Sequence, residues 1–112
     1  MFLAGPLRLI VSLMKYPPRD PDDVVTLIDQ YPLCWLVSAG AAGFGASPLP
    51  LLSECDADGS LVALFGHMAI ANPQVALLRE QPSALVLVNG PQAYISPELL
   101  SNPTWVPTWN YA

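Results

Sequence analysis

A chain of 112 residues holds one small domain, and 53% hydrophobic against 12% charged residues leaves little surface for solvation. The formal charge of −5 comes from nine acids against Arg8, Lys15, Arg19 and Arg79. With no basic run, the segment has no surface for reading a nucleic-acid backbone.

Residues 1–13, "MFLAGPLRLIVSL", are apolar but broken by Pro6 and Arg8. They lack a basic n-region and are too short to span a bilayer. They read as an over-extended start or a disordered N-terminus, with the domain proper over 14–112. Asp20, Pro21, Asp22 and Asp23 then form a helix start: a cap, a proline at the first helical position, and acids at the positive end of the dipole. Val24, Leu27, Ile28 and Tyr31 follow at helical spacing, and Pro32 ends the helix.

"LCWLVSA" (33–39) has strand character, with Trp35 read as core, and "GAAGFG" supplies a turn in which Gly43 and Gly45 are turn glycines. No cradle helix follows them, so they are no dinucleotide fingerprint. The prolines of "ASPLPLLS" forbid a helix and predict an edge or bulged strand. "DADG" (56–59) is a hairpin turn leading into the strand "SLVALFGHM". Asn72-Pro73 repeats the cap-plus-proline start, and "QVALLRE" makes a short helix. "SALVLV" (83–88) and "QAYIS" (92–96) are strands, with Asn89-Gly90 placed for a tight hairpin. Residues 97–107 are loop, and strand character resumes at Thr108. About five mostly antiparallel strands with two short helices predict a mainly β, α+β fold shaped as a small barrel.

The residues alone indicate little chemistry. His67 is the only histidine, with no second imidazole or acid–cysteine cluster beside it, so no metal site is read. Cys34 and Cys55 lack metal-ligand spacing and a disulfide-rich context, which reads as reduced thiols in a cytoplasmic protein. Nothing places Ser, His and Asp together, so no catalytic residue is assigned, and whether the chain is an enzyme stays open. Arg79 reads as a solvated helix side chain beside Glu80.

Three motifs in register are more specific: "GHMAIANPQ" (66–74), "NGPQAYISP" (89–97) and "VPTWNYA" (106–112), after an opening "YPP…DP". Together they resemble the PaiB-like FMN-binding negative transcriptional regulators, whose split-barrel fold is shared with pyridoxamine-phosphate oxidases. The resemblance covers 14–112 and implies an antiparallel split barrel, incomplete in this chain, that binds FMN at the interface of a homodimer. It implies cofactor contacts from Ser47, Leu49, His67, Met68, Ala69, Asn72, Gln74, Trp109 and Asn110. At the Asn72 helix start, the free N–H groups of Gln74 and Val75 would face the FMN phosphate. The chain departs from the family pattern at Ile70, where many relatives carry arginine, at Pro48, where histidine is frequent, and at Trp105, near which a lysine is frequent. "SPELL" also replaces an aromatic stretch.

If flavin redox chemistry occurs, the cofactor carries it and the protein tunes it. A flavin-dependent oxidoreductase is the alternative function, and a truncated chain that no longer binds flavin is another. The aromatic end "WVPTWNYA" reads as the start of a barrel strand, with Trp109 and Tyr111 on one face and Thr108 and Asn110 on the other. No helix-turn-helix is visible, so no direct nucleic-acid binding is expected of this segment, and the short, broken apolar run at 1–13 gives no reason to expect a membrane partner.

Overall fold

A computed structural model describes residues 2–3, 18–99, 104 and 106–111. The reading of 1–13 therefore lies outside it except at Phe2 and Leu3, as does the position of Trp105. Helix α1 (Asp22–Gln30) starts as the sequence predicts. Asp20 Oδ1 accepts the Asp22 N–H at 3.1 Å, and Asp23 Oδ2 accepts the N–H groups of Asp20 at 3.1 Å and Arg19 at 2.9 Å. This reciprocal box satisfies donors that the helix start leaves orphaned. Ile28 is buried, with Val24, Leu27 and Tyr31 half-buried beside it.

The central unit is an antiparallel sheet in which β2 (Leu33–Gly40) lies between β3 (Gly43–Pro50) and β6 (Ala84–Leu87). The β2–β3 turn is only Ala41 and Ala42, tighter than "GAAGFG" implied, and Gly43 opens β3 with φ +114°. Gly45 is not a turn residue. It lies within β3, where an added Cβ would come 2.9 Å from Leu77 Cδ1 and 3.1 Å from Gln74 Cγ. Its missing side chain lets helix α2 (Gln74–Glu80) press against the strand. As Pro48 and Pro50 predict, β3 is an edge strand.

Register assigns the two faces of this sheet. Pairs Cys34–Leu49, Leu36–Ser47, Ser38–Gly45 and Leu36–Val86 face α2. On that side Cys34, Leu36, Leu49, Val75 and Leu78 form one buried cluster that also takes in Leu51 and Met68. The opposite face pairs Leu33–Pro50, Trp35–Pro48, Ala39–Phe44, Trp35–Leu87 and Val37–Leu85. Trp35 is therefore not core: strand alternation turns it to the outer face, where it is 44% exposed.

A second antiparallel sheet places β5 (Leu61–His67) between β4 (Leu52–Cys55) and the short β1 (Phe2–Leu3). In the β4–β5 turn, Asp56 Oδ1 accepts the N–H groups of Asp58 and Ser60, both at 2.9 Å, and Gly59 has φ +84°. Asp29 of α1 takes a hydrogen bond from Ser53 Oγ of β4, which ties the helix to this sheet. The two sheets meet where Leu51 donates its N–H to Pro32 O at 2.8 Å and packs over Gly66 of β5.

The predicted hairpin at Asn89-Gly90 does not form. β6 pairs with β2, while β7 (Gln92–Ile95) pairs with β8 (Thr108–Tyr111), and neither Asn89 nor Gly90 has a positive φ. Long-range pairing overrode the local turn signal. The β7–β8 pair is its own two-stranded sheet, so the described residues make a mainly β, α+β fold without a closed barrel.

Candidate functional site

The start of α2 is built by Asn72 and Pro73. Asn72 Oδ1 accepts the Gln74 N–H at 2.9 Å, and Asn72 O accepts the Val75 N–H at 2.9 Å. The other end of the same amide donates from Nδ2 to Ser47 Oγ at 3.0 Å, fastening the helix start to edge strand β3. Asn72 is thus the cap the sequence predicts and a cross-link as well.

Gln74 continues this polar chain inward. It is 2% exposed, and Nε2 lies 2.8 Å from Leu36 O, 3.0 Å from Ser38 Oγ and 3.2 Å from Gly45 O. With two protons for three acceptors, the amide is pinned with its nitrogen toward the strands, because the opposite flip would set oxygen against two carbonyls. Its Oε1 is buried with no hydrogen-bond donor. A buried carbonyl oxygen in this position costs free energy until a donor reaches it, so the site has an unmet need for an N–H or O–H group.

Of the residues the family resemblance selected, Ser47, Asn72 and Gln74 are joined by hydrogen bonds. Leu49 and Met68 lie in the buried cluster beneath them, and Ala69 supplies its carbonyl to the Asn72 N–H at 2.9 Å. His67 is exposed at the end of β5, where its backbone pairs with Phe2. Trp109 stands on the separate β7–β8 pair, its ring 5.7 Å from that of Tyr94 and tilted by 57°. Asn110 pairs with Ala93 in the same ladder. Sequence reasoning did not select Ser38, whose hydroxyl contacts Gln74. Its signal was the inward alternation of Cys34, Leu36 and Ser38, which needs the strand's face to be known.

Among the described residues no group of three or more His, Cys, Asp or Glu could hold a metal ion. Among the described residues no helix is long and apolar enough to cross a membrane, which says nothing of strands. Cys34 is buried with its thiol 3.7 Å from Tyr31 O, and desolvation pushes its pKa above the ordinary 9.0. Raised in the folded state, this group contributes stability in full below about pH 9, and the contribution is lost as pH rises through the folded value. Cys55 is exposed. In the native protein a thiol reagent is expected to label Cys55 and to reach Cys34 only on unfolding. Equal labelling rates at neutral pH would contradict this packing.

The features together define a class: an open antiparallel β protein with a capped helix start, a buried polar chain and an acceptor awaiting a donor. Residues 14–112 match a family model described as "Putative FMN-binding domain", and the chain belongs to that family. FMN is accordingly the cofactor its family indicates. We found no match among curated proteins.

Gln74 Oε1 calls for a hydrogen-bond donor, and the ribityl hydroxyls and ring N–H of FMN are groups of that chemistry. Ser47, Asn72 and Gln74 would hold it there. A bound flavin would supply two-electron redox chemistry, and these residues would position it.

Proposed function

We propose that this chain is a PaiB-like flavin-binding protein acting in the cytoplasm as a homodimer, in which flavin occupancy serves a regulatory role. The observation that carries the reading is the chain Ser47–Asn72–Gln74, which ends in a buried acceptor without a donor. Within these 112 residues there is neither a basic patch nor a helix-turn-helix, so direct nucleic-acid reading would need residues outside them.

Self-association is supported by the outer face of the central sheet. Leu33, Trp35, Phe44, Leu85 and Leu87 are exposed there, Phe44 to 87%. A second copy seated on this face would run along β3, the edge strand that carries Ser47, bringing the flavin site to the rim of the interface.

The test is a flavin titration of the purified protein and of Asn72→Ala, followed by flavin absorbance and fluorescence. Wild type is expected to bind and quench flavin, and Asn72→Ala to bind about tenfold more weakly, having lost the link to Ser47. A folded wild-type protein that binds no flavin refutes the reading.

A further inference from the structure

We propose that the site recognises flavin without gripping its phosphate, so that riboflavin and FMN bind with nearly equal affinity. This rests on the flavin-binding reading and goes beyond it, because it names which part of the ligand the protein selects. The donors at the start of α2 are all absent or engaged. Pro73 has no N–H, the Gln74 N–H is held by Asn72 Oδ1, the Val75 N–H by Asn72 O at 2.9 Å, and the Ala76 N–H by Pro73 O at 3.2 Å. A phosphate would find none of the first four positions free, contrary to the expectation that Gln74 and Val75 offer theirs. With seven residues, α2 is also too short to gather a useful dipole at that end.

A phosphate dianion held inside a protein site calls for a guanidinium or ammonium partner. The turn that leads into Asn72 presents Ile70 instead, 72% exposed. Among the described residues the arginines are Arg19, just ahead of α1, and Arg79, in the last turn of α2 and exposed. The whole chain carries −5, which opposes the approach of a dianion. Gln74 Oε1 needs a donor, and an ionised phosphate offers only acceptors. The ring N–H and the ribityl hydroxyls other than the terminal one, which FMN esterifies, are common to riboflavin and FMN, so the donors that would satisfy the site are ones the two ligands share.

The experiment is a calorimetric titration of the full chain with riboflavin and with FMN, at low and at moderate salt, repeated with Ile70→Arg. Expected are dissociation constants within about threefold of each other and an FMN affinity that does not fall with salt. In Ile70→Arg, FMN is expected to tighten by about tenfold while riboflavin is unchanged, and added salt should erase the gain. A wild-type preference for FMN of about tenfold or more, shrinking with salt, overturns the inference and leaves flavin binding intact. An Ile70→Arg protein with no gain for FMN overturns the argument that the missing cation at this turn is what leaves the phosphate ungripped. Failure of both ligands to bind overturns the flavin reading itself, and this inference with it.

Discussion

Gln74→Glu is expected to destabilise the protein by about 3–5 kcal/mol at neutral pH, a large part of the stability of a domain this size. The wild-type amide donates toward Leu36 O, Ser38 Oγ and Gly45 O from a position 2% exposed. A carboxylate placed there would set negative oxygen against two carbonyl oxygens with no cation to offset it. Ionisation would therefore be disfavoured, and the introduced carboxyl would have a folded-state pKa above the unfolded value of about 4.3. Below that value the group is neutral in both states and can donate one hydrogen bond, so the penalty is smallest there. It grows as pH rises and levels off once the folded-state value is passed.

Urea unfolding of both proteins between pH 4 and 8, followed by circular dichroism, measures the difference. Gln74→Met separates charge from hydrogen bonding: it removes the donor at similar volume and should cost about 1–3 kcal/mol with no pH dependence. If Gln74→Glu were as stable as wild type at pH 7, the amide would not be holding α2 to the strands.

The second large effect concerns the outer sheet face. Trp35 lies at the middle of β2, flanked across the ladder by Pro48 and Leu87. On the proposed homodimer, Trp35→Lys is expected to weaken association by about 2–4 kcal/mol, which is roughly 30-fold or more in the dissociation constant. Large aromatic side chains at the centre of an interface carry most of its energy, and a two-fold interface places each substitution close to its symmetry mate. Folding of the single chain should change little, because Trp35 is already 44% exposed there. Sedimentation across a concentration series separates the cases. Wild type should approach twice 12.0 kDa, and Trp35→Lys should remain monomeric at concentrations where wild type is paired. Equal association of the two proteins would remove this face from the interface.

Much of the local structure was legible because it is decided by neighbours in sequence. Asp20-Pro21 and Asn72-Pro73 start helices because the side-chain oxygen and the missing proline N–H act within two residues of each other, and both caps form as read. The Asp56–Gly59 turn and the edge placement of β3 were legible for the same reason, since a glycine φ and a proline without a donor are properties of the residue itself.

Partner choice was not legible in this way. Asn89-Gly90 has the composition of a hairpin turn, yet β6 is drawn to β2 and β7 to β8, because burying Val86 against Leu36 outweighs a two-residue turn preference. Trp35 and Cys34 are adjacent apolar residues, and nothing local says which of them faces the helix. That is settled by where α2 docks, and the docking depends on Gly45 having no side chain.

The candidate site divides along the same line. Asn72 and Gln74 stand out in the chain through a family motif, and the motif's register places the chain in an FMN-binding family. Only the tertiary structure shows that the helix-start amides are already bonded and that the unmet group is a buried acceptor. Hydrogen-bond supply and demand depend on Ser38 and Gly45, which lie 36 and 29 residues before their partner Gln74, and on Ser47, 25 residues before its partner Asn72; these meet only when the strands pair and the helix closes over them.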